Sequence, residues 1–333
     1  MSHFVHSGSL TGFAEVAREA GLDPVRLLDE FGLPRAGLDE PDLMIPVEPL
    51  ALMLEASARR CGDESFGLKI AEARKMSSLG PLGMFAREQP TLRDAIAALA
   101  DFTRLINEAL VISAEEEGDV AIVRVELLVG DIGPIRQGTE LAVGVVLQTM
   151  RAFVGAEWKP RRTCFVHDAP ADGTVHARFL GREVKFGQDF NGIVCTRRDL
   201  DVVNPGAGPT MAHYARQLLE TWRSHGGESF TDNVRQLVVM QLGMGQCSVE
   251  RIAHLLRVDR RTIHRRLAQE QQTFSGLVDA VRRELASRYL ADHKRTLAEI
   301  SALLGFAAPS GFSRWYRQQF GTTASVARSE RVT

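Results

Sequence analysis

The densest reactive chemistry in the chain lies in Arg260-Arg261-Thr262-Ile263-His264-Arg265-Arg266-Leu267, where four arginines and a histidine fall within eight residues. Guanidinium groups stay charged and present a rigid fork of donors, which suits recognition of phosphates, carboxylates and base edges. On a helix, Ile263 and Leu267 stand four apart, share one face and must turn to a core. Arg261, His264 and Arg265 then face outward together, where arginine can pair bidentately with O6 and N7 of guanine in a major groove. Arg260 and Arg266 stand at the margins and suit phosphate contact, which positions a protein on DNA without carrying sequence information. Thr262 belongs to the same DNA-contacting set. A second candidate face comes later: Phe312 and Tyr316 point inward and leave Ser310, Ser313, Arg314 and Arg317 outside. That face has fewer long hydrogen-bonding side chains, since Pro309 and Gly311 occupy neighbouring places, so the first face is expected to dominate base readout.

A sequence repeat positions both faces. The run from Val249 to Val258 matches that from Leu297 to Phe306 at an offset of 48. In each, a short helix with Ile and Leu on its inner side meets a tight turn, and a second helix begins: Arg260 to about Gln269, and Pro309 to Phe320. Helix, turn of three or four residues, helix is the helix-turn-helix signature. Asp259 is a sound N-cap for the first recognition helix, and Thr296 with Glu299 makes a capping box for the second unit. Between the units an uninterrupted helical pattern runs from Phe274 to Ala291, with Phe274, Leu277, Val278, Val281, Leu285 and Tyr289 inward. At ~1.5 Å per residue this rod spans about 27 Å, near the ~34 Å repeat of B-DNA, so one chain can place two recognition helices in successive major grooves. From Phe230 to Thr333 there are 16 Lys plus Arg against 9 Asp plus Glu, a net of +7, whereas the other 229 residues carry 24 against 33, a net of -9. Basic clustering of this kind meets a polyanion, and the acidic part must do something else.

That acidic part reads as an α+β domain of helices plus a small sheet. Leu10 to Ala20 has helical spacing that stops at Gly21, and Asp23-Pro24 restarts a helix as N-cap and first residue. Helices are also expected from Pro46 to Ala58, from Thr91 to about Ile106, and from Arg136 to Phe153, the last apolar on most sides. The stretch Leu79-Gly80-Pro81-Leu82-Gly83 is read as a loop. Val- and Ile-rich runs flanking Glu117-Gly118-Asp119 signal a hairpin over Val111 to Leu128, and further strands are expected near Thr163 to His167, Glu183 to Phe186 and Ile193 to Thr196. Asn204 to Pro209 reads as a linker. After it Met211, Tyr214, Ala215, Leu218, Leu219 and Trp222 form one apolar helical stripe, expected to pack on its own domain, with dimerisation as the alternative. The expected organisation is an effector-binding region over 1–203, a linker and amphipathic helix over 204–229, and an all-α DNA-binding domain over 230–333. Its helix-turn-helix units, near 248–269 and 296–320, are joined by a long helix.

Other candidate chemistry is weak. Cys61, Cys164, Cys195 and Cys247 form no CxxC pair and read as reduced, mostly buried thiols, with no zinc site and no activated methyl-accepting cysteine. His3 and His6 read as exposed residues at a frayed terminus rather than metal ligands. Gly80 and Gly83 lack a phosphate-loop arrangement. Glu115, Glu116 and Glu117 read as a solvated hairpin end, and Arg161-Arg162 and Arg197-Arg198 as solvated surface with an anion-gathering alternative. There is no GxSxG elbow or HExxH pair, so an enzyme is not expected, and no cofactor or metal is implied. The start MSHFVHSGSLTGF lacks a secretory pattern and no apolar run approaches a membrane span, from which a cytoplasmic address and no membrane partner are expected.

Residues Thr231 to Arg328, above all SVERIAHLLRVDRRTIHRRL, VRRELASRYL and LAEISALLGFAAPSGFSRWYRQQFG, resemble the DNA-binding domain of the AraC/XylS family of transcription regulators. The N-terminal part is similar to that family's arabinose-binding-type effector domain through GLDP at Gly21, LGPLGMF at Leu79, PTLRDA at Pro90 and VKFGQDFNGIV at Val184. The resemblance implies binding to double-stranded promoter DNA, a small-molecule effector, commonly a homodimer, contact with RNA polymerase, and more often activation than repression. Carried over by position, Arg261, His264 and Arg265 read bases in the first unit, and Ser310, Ser313 and Arg314 in the second. The alternative is an architectural or repair-associated DNA-binding protein without effector sensing. The chain departs from the family pattern at Arg257 and Gln271, where glycines are frequent, at Ala308, a weak N-cap, and at Ala324 and Ala327, which replace Pro and Tyr.

Overall fold

The computed structural model describes residues 3–129, 132–225, 230–243, 247–256, 258–291 and 295–330. The chain forms two compact units that divide between residues 226 and 227.

The first unit is α+β. Its elements in chain order are β1 (Phe4–His6), α1 (Phe13–Glu19), α2 (Pro24–Glu30), β2 (Met44–Pro46), α3 (Val47–Cys61), α4 (Phe66–Ala73), α5 (Gly80–Arg87) and α6 (Leu92–Phe102). There follow β3 (Leu110–Glu117), β4 (Val120–Leu127), α7 (Arg136–Val154), β5 (Arg162–Cys164), α8 (Thr174–Leu180), β6 (Val184–Lys185), β7 (Gly192–Thr196), α9 (Arg197–Leu200) and α10 (Pro209–His225). Strands β1 and β2 pair antiparallel, with Val5 opposite Ile45. The larger sheet runs β3-β4-β7-β5-β6, antiparallel except between β5 and β6. The hairpin falls where alternation placed it: Leu110 lies opposite Leu127 and Glu117 opposite Val120, closed by Gly118 at φ +60° and Asp119. Asp23 caps α2 as expected, accepting from the Val25 N–H at 2.9 Å, and Thr91 caps α6. Helix α7 carries fully buried Val143, Leu147 and Met150 into the core, together with a buried carboxylate, Glu140.

Several sequence expectations need correction. Leu79 to Gly83 is not a loop: a 3-10 turn over Met76–Leu79 leads into α5, whose Pro81 occupies the first turn, where a missing N–H is harmless. The two glycines hid this helix, yet Gly83 is there because a Cβ would meet the Met76 carbonyl oxygen at 2.0 Å. The His3–His6 region is not frayed, since His6 ends β1 and stacks on Trp222 with ring centroids 5.3 Å apart. The hairpin glutamates are partly paired: Glu115 accepts from Arg124 Nε at 2.6 Å, and Glu116 bridges to Arg93 and Arg197. Helices α4 and α8 were not anticipated. The apolar stripe of α10 divides, with Ala215 and Leu219 buried while Met211, Tyr214 and Leu218 stay exposed. Cys164 and Cys195 are buried, and Cys61 and Cys247 half-buried, all as free thiols.

The second unit is all-helical: α11 (Phe230–Gly243), α12 (Val249–Leu255), α13 (Arg260–Gln269), α14 (Phe274–Ala291), α15 (Leu297–Leu303), α16 (Pro309–Phe320) and α17 (Ala324–Glu330). Its core gathers Val234, Val238 and Leu242 of α11 with Ile252, Ile263, Leu267, Val281 and Leu285, and continues through Ile300, Leu304 and Phe312. Helix α14 is the expected 18-residue rod, with Leu277, Val278, Val281, Leu285 and Tyr289 buried. Helices α11 and α17 were not announced by the sequence.

Candidate DNA interface and effector cavity

The first helix-turn-helix is built from local capping. Ser248 accepts from the Arg251 N–H at 3.1 Å at the start of α12, and Asp259 accepts from the Thr262 N–H at 2.7 Å at the start of α13. The Thr262 N–H holds the Asp259 carboxyl below its ordinary range, so the cap stays charged near neutrality and complements the helix dipole. Ile263 and Leu267 are fully buried, which fixes the rotation of α13. Arg261, His264 and Arg265 consequently lie on the exposed side, with Arg260 and Arg266 exposed beside them and Thr262 half-buried. Arg260 pairs with Glu250 at 3.2 Å on the surface, a weak contact that a phosphate can displace. Arg266 lies over the Phe230 ring at 5.1 Å and is therefore partly engaged with α11. Glu270, just beyond α13, accepts from the Phe230 and Thr231 N–H groups at 2.8 and 2.9 Å and fastens the same corner.

In the second unit Thr296 and Glu299 form the expected capping box on α15, with the Thr296 N–H donating to Glu299 Oε2 at 2.6 Å. Ala308 gives α16 no side-chain cap, as its residue type implies. Phe312, Trp315 and Tyr316 are buried, while Ser310, Ser313, Arg314 and Arg317 are exposed. The Ser313 hydroxyl donates to the Pro309 carbonyl at 3.0 Å, which leaves its oxygen chiefly as an acceptor. Trp315 is the structural residue that sequence reasoning missed. Its Nε1 donates to Asp279 Oδ1 of α14 at 2.7 Å. From α14 as well, Arg282 donates to the Leu304 carbonyl at 3.0 Å and lies over the Phe306 ring at 4.1 Å. Gln271 adopts φ +56°, the left-handed turn for which a glycine is favoured; Arg257 lies outside the described residues.

In the first unit a cavity of about 290 Å³ is lined by apolar side chains, among them Leu50, Leu54, Leu99, Leu127 and Val146. Its polar edge holds His6, Asp42 and Arg74, and Trp222 reaches it from α10. Burial keeps the His6 imidazole below its ordinary pKa despite Asp42 nearby. The run from Ser77 to Leu82, read from sequence as a loop, forms one wall. Arg74 gave no sequence signal, because at the end of α4 it looks like any cation complementing a helix C-terminus. The arginine pairs that did draw attention lie elsewhere on the surface: Arg161 bonds Asp119 at 2.7 Å and Arg197 bonds Glu116 at 3.1 Å.

Two repeated helix-turn-helix units that follow a cavity-bearing α+β unit in the chain are the architecture of a ligand-sensing transcription regulator. Residues 21–203 match the model of the arabinose-binding domain of AraC transcription regulators, N-terminal, and residues 252–330 match a helix-turn-helix domain. The chain is 29% identical over 332 residues to the HTH-type transcriptional regulator VirS of Mycobacterium tuberculosis, covering 99% of this chain and 97% of that protein. It is 24% identical over 321 residues to the ornithine utilization regulator of Pseudomonas aeruginosa, covering 94% and 91%. The crystal structure of the transcriptional regulator CdpR from Pseudomonas aeruginosa covers 94% of this chain and 97% of its own at 18% identity, with a TM-score of 0.45. The chain belongs to the AraC family of transcription regulators and is a DNA-binding regulator with an arabinose-binding-type effector domain. Among the described residues no helix is long and apolar enough to cross a membrane.

Proposed function

We propose that this regulator, rather than acting as an enzyme, reads two successive major grooves of promoter DNA, with α13 and α16 as its recognition helices. Arg261, His264 and Arg265 read base edges from α13, while Arg260 and Arg266 hold the phosphate backbone and Thr262 contacts the DNA beside them. Ser310, Ser313 and Arg314 read from α16, with Arg317 at its edge. In this reading residues 1–203 sense an effector, 204–229 connect, and 230–333 bind DNA. The protein works in the cytoplasm as a homodimeric activator that engages RNA polymerase. The observation that carries the reading is the rotation of α13: two fully buried aliphatic residues leave three basic-capable side chains together on the exposed side. Effector response requires a ligand with different affinities for two arrangements of the DNA-binding units.

Footprinting on promoter fragments, or on sites selected from random DNA, tests this directly. A discrete protected site of about two helical turns is expected for each chain. Uniform coating of all DNA would reduce the protein to an architectural binder. The sensing half stands separately: a metabolite that raises the melting temperature must also change operator affinity, and a ligand that does the first without the second removes effector control.

A further inference from the structure

Arg74 is 8% exposed, yet no carboxylate among the described residues pairs with it. Its Nη2 donates to the Gly8 carbonyl at 3.1 Å, and its Nε has no partner at all. Burial alone pushes the guanidinium down to about 10, a very large depression for arginine, with no anion opposing it. A buried cation is costly unless paired and hydrogen-bonded, so such a residue persists where something outside the chain completes it. Arg74 borders the cavity of about 290 Å³, whose lining is largely apolar, with eight leucines and three valines beside a few serines, threonines and Asn107.

We propose that this cavity takes a small organic monocarboxylate with an apolar body, its carboxylate seated on Arg74. The assignment rests on the effector reading above and specifies its ligand. Three features narrow the class. Guanidinium matches the planar geometry of a carboxylate, and the pairing is strengthened where water is excluded. Asp42, on the same rim, repels a second anionic group, and burial disfavours the charged form of His6, which leaves Arg74 as the cation for a single carboxylate. Ser9, Thr11, Ser77, Ser78, Thr103 and Asn107 also line the cavity, but its lining is predominantly apolar, and an aliphatic body buries area there at about 25 cal/mol per Å². On the scale of ~30 Å³ for a liquid water, the cavity admits a ligand of roughly ten heavy atoms. Trp222 touches the same space from α10, the helix that immediately precedes the DNA-binding unit in the chain, so occupancy bears directly on that helix.

Titration calorimetry of the full chain with octanoate, its neutral isostere octanamide, and arabinose tests the assignment. Octanoate is expected to bind, with octanamide at least about tenfold weaker and arabinose weaker still. Arg74→Met should lower octanoate affinity by at least about tenfold while leaving octanamide unchanged. It should also melt no lower than the parent without ligand, since the substitution removes an unpaired buried charge. Arg74→Lys should keep a preference for octanoate, and it decides the matter if the methionine variant does not fold. Equal binding of octanoate and octanamide by the unaltered protein, or unchanged octanoate binding in Arg74→Met, overturns the proposal. Octanoate bound through Arg74 without any change in the DNA footprint upholds the site and removes effector control. A sugar that shifts the footprint equally in parent and Arg74→Met keeps effector control and overturns the carboxylate assignment.

Discussion

In the first helix-turn-helix the Val258 N–H closes the turn on the Ala253 carbonyl at 3.0 Å; forty-eight residues later the Phe306 N–H closes the same turn on Ser301, also at 3.0 Å. The preceding bonds correspond too, Leu256 to Ile252 and Leu304 to Ile300, both at 3.0 Å. The recognition helices that follow are held by different means. Helix α13 seats two aliphatic residues and is fastened at its far end by Glu270 and by Arg266 over Phe230. Helix α16 seats an aromatic cluster in which Tyr316 and Phe320 stack at 4.4 Å and Trp315 packs on Phe306 at 5.5 Å, and α14 bonds it through Asp279 and Arg283. One backbone motif thus tolerates two anchoring schemes. The scheme that relies less on bulky residues leaves more of its helix free for long basic side chains.

The difference is broken most severely at Phe312, which is fully buried at the centre of the aromatic cluster. Phe312→Ala should cost about 3–5 kcal/mol, against about 0.5–1.5 for Ile263→Val at the equivalent place in the first unit. Denaturant melts give the two values, and footprinting of Phe312→Ala should show protection shrinking towards one helical turn. An unchanged footprint would mean that α16 does not need its aromatic seat.

The clamp from α14 comes next. Arg282 satisfies the Leu304 carbonyl at 3.0 Å and the Gly305 carbonyl at 3.4 Å, at the end of α15 where the helix dipole favours a cation. Replacing it with Met removes hydrogen bonds made by a charged donor and should cost about 1.5–3 kcal/mol. Arg282→Lys should recover only part of this, because an ammonium cannot span both oxygens and stack on Phe306. Full recovery by lysine would reduce the clamp to simple charge.

On DNA the units should separate in the other direction. Arg265→Ala is expected to weaken binding to the selected site by about 1–3 kcal/mol and to relax preference at one base pair. Arg314→Ala, at the corresponding place in α16, should have the smaller effect. Fluorescence anisotropy with matched and single-substituted sites measures both. Equal weakening on every sequence would make Arg265 a phosphate contact, and a larger loss from Arg314→Ala would move base reading to the second unit.

Local signals made the DNA-binding unit legible in the sequence. Caps at Asp259 and Thr296, the Ile263/Leu267 pair and the turn repeat are all decided within a few residues, and the structure places each where its spacing demands. The first unit was harder to read for a physical reason. Arg74 acquires its character from Gly8, 66 residues away, and Trp222 from His6 at the opposite end of the unit. Gly80 and Gly83 look like turn residues, yet Gly83 reflects a close approach of Met76. Glu140 was hidden inside a helix read as apolar, because beyond the local Arg136 its partners His167 and His176 are assembled only by folding.

The smallest expected effect probes the turns that end the helices. Gln271 sits at φ +56° while its N–H bonds Ala268 and the Gln272 N–H reaches Leu267 at 2.8 Å, the double closure that normally carries glycine. In the second unit Gly305 makes the same closure after α15 at φ +70°, with the Leu242 side chain 3.2 Å from where a Cβ would stand. A side chain in the left-handed region costs on the order of 1 kcal/mol, partly offset by the entropy that glycine restores to the unfolded chain. Gln271→Gly should therefore stabilise the all-helical DNA-binding unit by up to about 1 kcal/mol, and Gly305→Ala should destabilise it by at least as much, since it adds crowding to strain. Thermal melts of the two variants should shift in opposite directions. A fall in melting temperature for Gln271→Gly would show that the Gln271 side chain makes a stabilising contact that outweighs its backbone strain.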